Sequence, residues 1–298
     1  MHLWTGRASS ASADGHHHDA GARVPGDARV GGAASTSSGG AAPPHGTPTT
    51  AWGLRHVHAG RSAVHHVVAD GIDPARPVGV LWFLDGDYHL RSHARVHDPE
   101  DPTLRGIAAE ANRRNLVLVV PDTPAGPHRD EGYTWWVEHE RNGDWFRSLA
   151  ASFIARHAVA RDRQWLLGYS GGAELIGMDL LARRLGEWSG GGGAVLVGGG
   201  DRPPPGGDDA VRPGDGELDP GRPRLPATWV VGSDDVAGQT VPLDWSALDA
   251  ARSGHAFHAA RGVPDARLRV LPGLGHTDYD LVGVLREALD HAGVPRVR

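Results

Sequence analysis

The chain has 298 residues, of which 39% are hydrophobic, and its formal net charge of −6 comes without any block of basic residues, which argues against nucleic acid as a partner. It contains no cysteine, which excludes disulfides, a thiol nucleophile and a thiolate metal site. No stretch approaches 18 consecutive apolar residues, so the sequence predicts no membrane span.

Residues 1–50 differ in composition from the rest of the chain, because they contain almost no large apolar side chains. Such a segment cannot bury enough surface to offset its loss of conformational entropy, so we predict a disordered, low-complexity tail. We interpret His16-His17-His18 as part of this solvated tract rather than as a metal site. The tail lacks the apolar core of a secretory signal, which favours a cytoplasmic protein, with secretion as the alternative if the true start differs.

Strand and helix patterns begin after the tail. Two β-rich stretches joined by a turn at Ala59-Gly60 predict an antiparallel pair, since polar and apolar residues nearly alternate in the first. Further apolar runs, typical of buried strands, alternate with helical patterns. The predicted strands are 52–59, 61–69, 78–84, 116–120, 164–167, 194–197, 228–231 and 268–271. The predicted helices are 103–112, 144–157, 173–185, 246–261 and 278–292.

Strands that alternate with helices imply βαβ units and a mainly parallel sheet. We therefore predict an α/β fold with helices on both faces of the sheet and an antiparallel strand pair in front. One domain over residues 51–298 accounts for these elements. Residues 201–226, rich in proline, glycine and aspartate, are predicted to form a surface loop.

The most informative motif is Gly168-Tyr169-Ser170-Gly171-Gly172, a G-x-S-x-G pattern between a predicted strand and a predicted helix. Because 43 of the 298 residues are glycine, a simple loop at a strand end is the alternative interpretation. The context favours a nucleophile, since a sharp strand-to-helix turn exposes the serine hydroxyl and leaves backbone amides nearby. The motif therefore predicts that Ser170 attacks a carbonyl group.

A serine nucleophile needs a base and an acid that orients the base. Reactive groups collect outside the carboxyl ends of parallel strands, and two late strands end in suitable residues. Gly232-Ser233-Asp234-Asp235 follows one strand, and a glycine-flanked His276 follows the next. We predict His276 as the base and prefer Asp235 to Asp234 as the acid, because it lies further out on the loop. A turn-capping role is the alternative for either aspartate.

Backbone amides must also stabilise the oxyanion formed during the attack. One candidate is the amide of Gly171, and the second should come from the loop after the third strand, at Gly86 or Asp87. Asp85 and Asp87 are too few oxygen ligands to indicate a calcium site. The sequence thus predicts no metal and no cofactor.

Together these segments resemble α/β-hydrolase-fold serine esterases, over the chain from about Trp52 to the end. The segments that carry the resemblance are the pentapeptide around Ser170, Gly232 to Asp235, Gly275-His276 and Val80 to Tyr88. The stretch Leu84-Asp85-Gly86-Asp87-Tyr88 is similar to that of the branch related to enterobactin, feruloyl and polyhydroxyalkanoate esterases.

This resemblance implies a triad of Ser170, Asp235 and His276, with oxyanion amides at Gly171 and around Gly86. Asp85-Gly86 stands where the branch usually has His-Gly, which leaves the second oxyanion donor and the substrate class open.

Aromatic residues gather in the loop before the helix predicted from residue 144, and this loop should overhang the site. The predicted substrate contacts are Tyr88, Trp135, Trp136 and Tyr169, whose rings suit stacking on an aryl, sugar or acyl group. Packing in the interior is the alternative for the two tryptophans.

The sequence therefore predicts hydrolysis of a small or polymeric carboxylic ester through an acyl-enzyme intermediate. Acyl transfer to another alcohol would use the same residues, and peptide hydrolysis is a further alternative. A non-catalytic binding protein of the same fold is the alternative from a different functional class. No sequence feature indicates the oligomeric state.

Overall fold

The computed structural model describes residues 46–128, 132–205, 224–240 and 242–297. The tail predicted over 1–50, with His16-His17-His18, and the loop predicted over 201–226 lie mostly outside these ranges. Gly46 pairs with His157 in a parallel bridge, so the described fold begins a few residues before the first predicted strand.

Eight strands form one sheet in the centre of the molecule. They are β1 (Ala51–His58), β2 (Arg61–Val68), β3 (Gly79–Leu84), β4 (Leu116–Pro121), β5 (Gln164–Tyr169), β6 (Gly192–Val197), β7 (Ala227–Gly232) and β8 (Arg267–Leu271). Their spatial order is β1-β2-β4-β3-β5-β6-β7-β8. Only β2 runs antiparallel to its neighbours β1 and β4, and every other pair is parallel. The predicted mixed sheet with an antiparallel pair in front is confirmed.

Helices cover both faces of the sheet, as predicted. They are α1 (Pro102–Asn112), α2 (His139–Arg156), α3 (Gly171–Leu175), α4 (Ala247–Ala260) and α5 (Leu281–His291). Alternate residues of β3 explain why two separate cores form, since Trp82 and Leu84 join the core under α2, α3 and α4. Leu81 and Phe83 point the other way, into the core under α1 and α5. None of the helices in the described ranges is long and apolar enough to cross a lipid bilayer.

The register of the parallel strands brings five loops to one edge of the sheet. Leu84 at the end of β3 lies beside Gly168 in β5, and Tyr169 lies beside Val197 at the end of β6. Gly232 at the end of β7 likewise pairs with Leu271 at the end of β8. Because these strands end together, the loops that follow them converge, and we call this side of the sheet the carboxyl edge.

Candidate active site

Ser170 occupies a sharp turn between β5 and α3 at the carboxyl edge. Its backbone angles, φ 49° and ψ −120°, are strained for a residue with a side chain. Strain of this kind costs about 1–3 kcal/mol and persists only when the surroundings enforce it. The turn thus holds the serine in a conformation that its own backbone disfavours.

The glycines of the pentapeptide are explained by close backbone contacts. A Cβ at position 168 would lie 2.7 Å from the backbone nitrogen of Ala173, and one at position 172 would lie 2.0 Å from the carbonyl oxygen of Leu84. Real side chains do not fit at these distances. The G-x-S-x-G pattern is therefore required by the packing of α3 against β5 and β3.

Replacing Gly172 by alanine should destabilise the fold by about 3 kcal/mol, because the new methyl group would overlap the backbone of β3. Chemical unfolding monitored by tryptophan fluorescence would measure the loss. Gly126→Ala is the matched control, since no atom lies within 4 Å of the place that its Cβ would occupy. Equal stability of the two variants would contradict this explanation of the motif.

The structure brings Ser170, His276 and Asp235 into one hydrogen-bonded chain. His276 Nε2 lies 2.8 Å from Ser170 Oγ, and His276 Nδ1 lies 2.8 Å from Asp235 Oδ2. Asp235 is fully buried, Ser170 is 8% exposed, and the imidazole lies between them. Asp234, the alternative acid, instead accepts a hydrogen bond from the Ser233 hydroxyl and reaches solvent. The geometry therefore selects Asp235 as the partner of the histidine.

Two hydroxyl groups that the sequence analysis did not identify hold Asp235 in place. Tyr279 donates to Oδ2 at 2.5 Å, and Thr240 donates to Oδ1 at 2.8 Å. Burial alone would raise the pKa of Asp235, but hydrogen bonds from His276 and Tyr279 outweigh it and hold that pKa below its usual value. The carboxylate is therefore ionised and oriented toward the imidazole at neutral pH.

Tyr279→Phe should shift acid unfolding to higher pH, because Asp235 loses a charge-assisted hydrogen bond. A depressed carboxyl pKa contributes stability above the unfolded-state pKa, and this contribution is lost as the pH falls through the folded-state value. The variant raises the folded-state pKa and so removes part of that contribution. Fluorescence during acid titration would measure the shift. The control is Tyr133→Phe, because the Tyr133 ring stacks on Tyr88; this variant should leave the pH of acid unfolding unchanged.

A glycine loop after β6 lies directly beneath this chain of side chains. Gly198, Gly199 and Gly200 all have positive φ values, of 62°, 154° and 99°. A Cβ at position 198 would lie 2.9 Å from the Tyr279 ring, 3.4 Å from the imidazole and 3.5 Å from Asp235 Oδ2. The buried carboxylate of Glu174 accepts hydrogen bonds from the amides of Gly200 and Asp201 and so fixes the loop.

The two candidates for the second oxyanion donor differ in the structure. The amide of Gly86 donates to Asp85 Oδ1 at 2.9 Å and is therefore already engaged. Within the described ranges, the amides of Gly171 and Asp87 donate to no other backbone or side-chain group. The carboxyl group of Asp85, which engages the Gly86 amide, also pairs with Arg95 at 3.0 Å, and burial raises its pKa to about 6 in spite of that partner. Asp87 is the better placed of the two predicted donors.

The predicted aromatic contacts divide into core and site residues. Trp135 is 3% exposed and packs near Trp145 in the interior, so its prediction as a substrate contact is wrong. Trp136 is half-buried, and its Nε1 donates to Asp87 Oδ2 at 2.7 Å. Tyr169 stacks on the His276 ring, with centroids 5.4 Å apart, and donates to the backbone oxygen of His276 at 2.7 Å.

Tyr88 is anchored by contacts of its hydroxyl group and of its ring. Its hydroxyl donates to the buried Asp122, which also pairs with Arg91. Its ring stacks on Tyr133 at 5.2 Å. Trp245, which the sequence analysis did not select, lies with its ring 5.6 Å from that of His276. Tyr169 and Trp245 therefore contact the imidazole ring, and Trp136 contacts Asp87.

Comparisons with known proteins identify the fold of the chain. No protein-family model matches the chain, and no curated protein shows significant sequence similarity to it. The chain is similar in structure to a thermostable esterase, with 13% identity, a TM-score of 0.51 and coverage of 79% of this chain. It spans only 58% of that esterase. A carboxylesterase from Mesorhizobium loti is 16% identical, with a TM-score of 0.53, and the match covers 79% of this chain and 98% of that one. The strand order and these similarities show that the chain has the α/β-hydrolase fold.

Proposed function

We propose that the protein is a serine-dependent hydrolase of carboxylic esters. The observation that carries the proposal is the chain of two 2.8 Å contacts from Ser170 Oγ through the imidazole of His276 to Asp235. A buried carboxylate, a histidine and a serine on a strained turn form the arrangement that activates a hydroxyl group for attack. The similarity to solved esterases supports the fold in which this chemistry is common.

In the proposed reaction, Ser170 Oγ attacks the carbonyl carbon of the ester while His276 Nε2 takes the hydroxyl proton. The imidazolium that forms is stabilised by Asp235, which keeps its negative charge. The amides of Gly171 and Asp87 donate to the developing oxyanion. As the carbon–oxygen bond to the alcohol breaks, His276 returns the proton to the departing oxygen, leaving an acyl-serine.

Water completes the cycle: it replaces Ser170 as the nucleophile, and Ser170 becomes the leaving group. His276 takes a proton from the water molecule, whose oxygen attacks the acyl-serine carbonyl. The tetrahedral intermediate collapses, Ser170 regains its proton from the imidazolium, and the carboxylic acid leaves. Each step moves one proton to or from His276, so every proton is accounted for by Ser170, water, the departing alcohol and the imidazole.

A fluorophosphonate probe tests the proposal directly, because it reacts covalently only with a serine that has been activated as a nucleophile. We expect the folded protein to be labelled at Ser170, as located by peptide mass spectrometry, and His276→Ala to abolish the labelling. A folded protein that remains unlabelled would exclude the catalytic role and favour a binding function of the same fold.

Acyl transfer to an alcohol is the second candidate function, since the acyl-serine is common to both reactions. Product analysis with and without added alcohol separates them. We propose hydrolysis as the main outcome, because the imidazole between Ser170 and Asp235 is partly exposed, which gives water access to the acyl group.

A further inference from the structure

The side chain of Asp87 lies against Gly171, the residue that follows Ser170. A Cβ at position 171 would lie 1.9 Å from Asp87 Oδ1, so this oxygen fills the space that a side chain there would need. The other oxygen, Oδ2, accepts the hydrogen bond from Trp136 Nε1. A carboxylate thus stands beside the backbone amide that we assign to the oxyanion.

Two loops fix the position of this carboxylate. Tyr88 and Tyr133, which come from the loops that carry Asp87 and Trp136, exchange backbone hydrogen bonds of 3.2 and 2.8 Å. Their rings stack as well. The Asp87–Trp136 hydrogen bond then joins the same two loops at the site itself. The fold therefore holds the carboxylate beside Gly171 instead of leaving it to move freely in solvent.

Among the described residues, Asp87 forms no ion pair, in contrast to the neighbouring acids. Asp85 pairs with Arg95, and Asp122 pairs with Arg91. In the part of the chain that the structure describes, no arginine or histidine lies within 4.0 Å of the Asp87 carboxylate. Burial raises the pKa of this carboxyl to about 7, against the hydrogen bonds from the Trp136 indole and the Trp135 amide and the attraction of His276.

We propose that Asp87 makes the site selective for esters that carry a cationic group close to the scissile bond. An unpaired carboxylate at this place repels the negative charge that develops on the carbonyl oxygen. A substrate ammonium group beside Asp87 offsets that repulsion and supplies the missing partner. The half-buried indole of Trp136 adds a surface that attracts ammonium groups. This inference rests on the proposed ester hydrolysis and names its substrate class.

Two matched pairs of esters test the proposal, and each pair differs only in charge. The first compares the benzyl ester of trimethylammonium acetate with that of its tert-butyl analogue, in which carbon replaces nitrogen. The second compares acetylcholine with the corresponding tert-butyl alcohol ester, which moves the cation to the alcohol side. Hydrolysis is followed at about pH 8.5, where a carboxyl with a pKa of about 7 is almost fully ionised, by titrating the acid released, and the rate with Ser170→Ala is subtracted.

The measured quantity is the ratio of kcat/KM for the ammonium ester to that for its neutral analogue. We expect Asp87→Asn to lower this ratio about tenfold in at least one pair, mainly through KM, and to speed hydrolysis of the neutral ester. Asp87→Glu keeps the charge and should retain more of the ratio than Asp87→Asn does. Asp244→Asn removes the same charge from an exposed position next to Trp245 and should leave the ratio unchanged.

The two levels of inference fail in different ways. Equal ratios for Asp87→Asn and the unmodified protein would overturn the role of Asp87. Labelling of Ser170 by fluorophosphonate without preference for either ammonium ester would overturn the substrate class while leaving the serine site intact. Absence of both labelling and hydrolysis would contradict the proposed function and this inference with it.

Discussion

Ser170→Ala should lower the hydrolysis of p-nitrophenyl acetate by three to six orders of magnitude. In the proposed reaction the Ser170 hydroxyl oxygen forms the acyl-enzyme, and among the described residues His276 Nε2 is hydrogen-bonded to no other side chain. Removing the serine of such a triad costs about as much as removing all three residues, so the residual rate reflects binding and the oxyanion amides alone. Steady-state kinetics with both proteins would measure the loss.

The control for this result is Ser233→Ala, which removes the hydroxyl of a half-buried serine in the loop after β7. Its hydroxyl contacts Asp234 and the amide of Gly273, and neither belongs to the proposed reaction. We expect this variant to keep its activity within a few-fold. A loss limited to tenfold for Ser170→Ala would assign the nucleophile to another residue.

Asp235→Asn should lower kcat by about four orders of magnitude, the second largest effect that the structure predicts. An amide at this position loses the negative charge that stabilises the imidazolium. Its nitrogen would also face the Nδ1 atom, which lies 2.8 Å away, and so favours the wrong tautomer of His276. The hydroxyl groups of Tyr279 and Thr240 would still hold the side chain in place.

Asp234→Asn provides the comparison, since it makes the same chemical change one residue earlier. Asp234 points toward Ser233 and solvent, so the variant should retain nearly full kcat. Circular dichroism of both variants would show whether the fold persists. If Asp234→Asn proved the more damaging change, the acid would have to be reassigned to Asp234.

The strands could be located from the sequence because burial on both faces leaves a simple pattern. The continuous apolar runs of β3 and β4 are fully buried, and the predicted bounds agree with the structure within one residue. A residue that directly follows a parallel strand lies at the carboxyl edge, and this is the basis on which the sequence predicts Ser170, Asp235 and His276 as site residues.

Helix bounds were predicted less well, because tertiary contacts decide them. α2 begins at His139, five residues before the predicted start, since the buried amide of Asn142 donates to the carbonyl oxygens of Trp135 and Val137. The helix predicted over 173–185 instead gives α3 and then a π turn at Ile176–Leu180. Gly177 in that turn packs on the backbone of Asp201, and a Cβ there would lie 2.4 Å from its carbonyl oxygen. Apolar periodicity contains no information about such contacts.

The same limit applies to the residues that surround the site. Tyr279 follows His276 by three positions, yet nothing in the spacing indicates that its hydroxyl reaches Asp235. Trp135 and Trp136 are neighbours in sequence with opposite environments, one in the interior and the other beside Asp87. The proposed selectivity depends on the direction of the Asp87 side chain. That direction follows from the pairing of Tyr88 with Tyr133, which lie 45 residues apart in the sequence.

The backbone angles of Ser170 are unfavourable for any residue that has a side chain. Glycine adopts positive φ at little cost, so a chain shaped for durability alone would carry glycine at the apex of that turn. A residue with a side chain therefore occupies this turn at a cost in folding free energy. The proposed role of Ser170 as a nucleophile is a chemical benefit that would offset this cost.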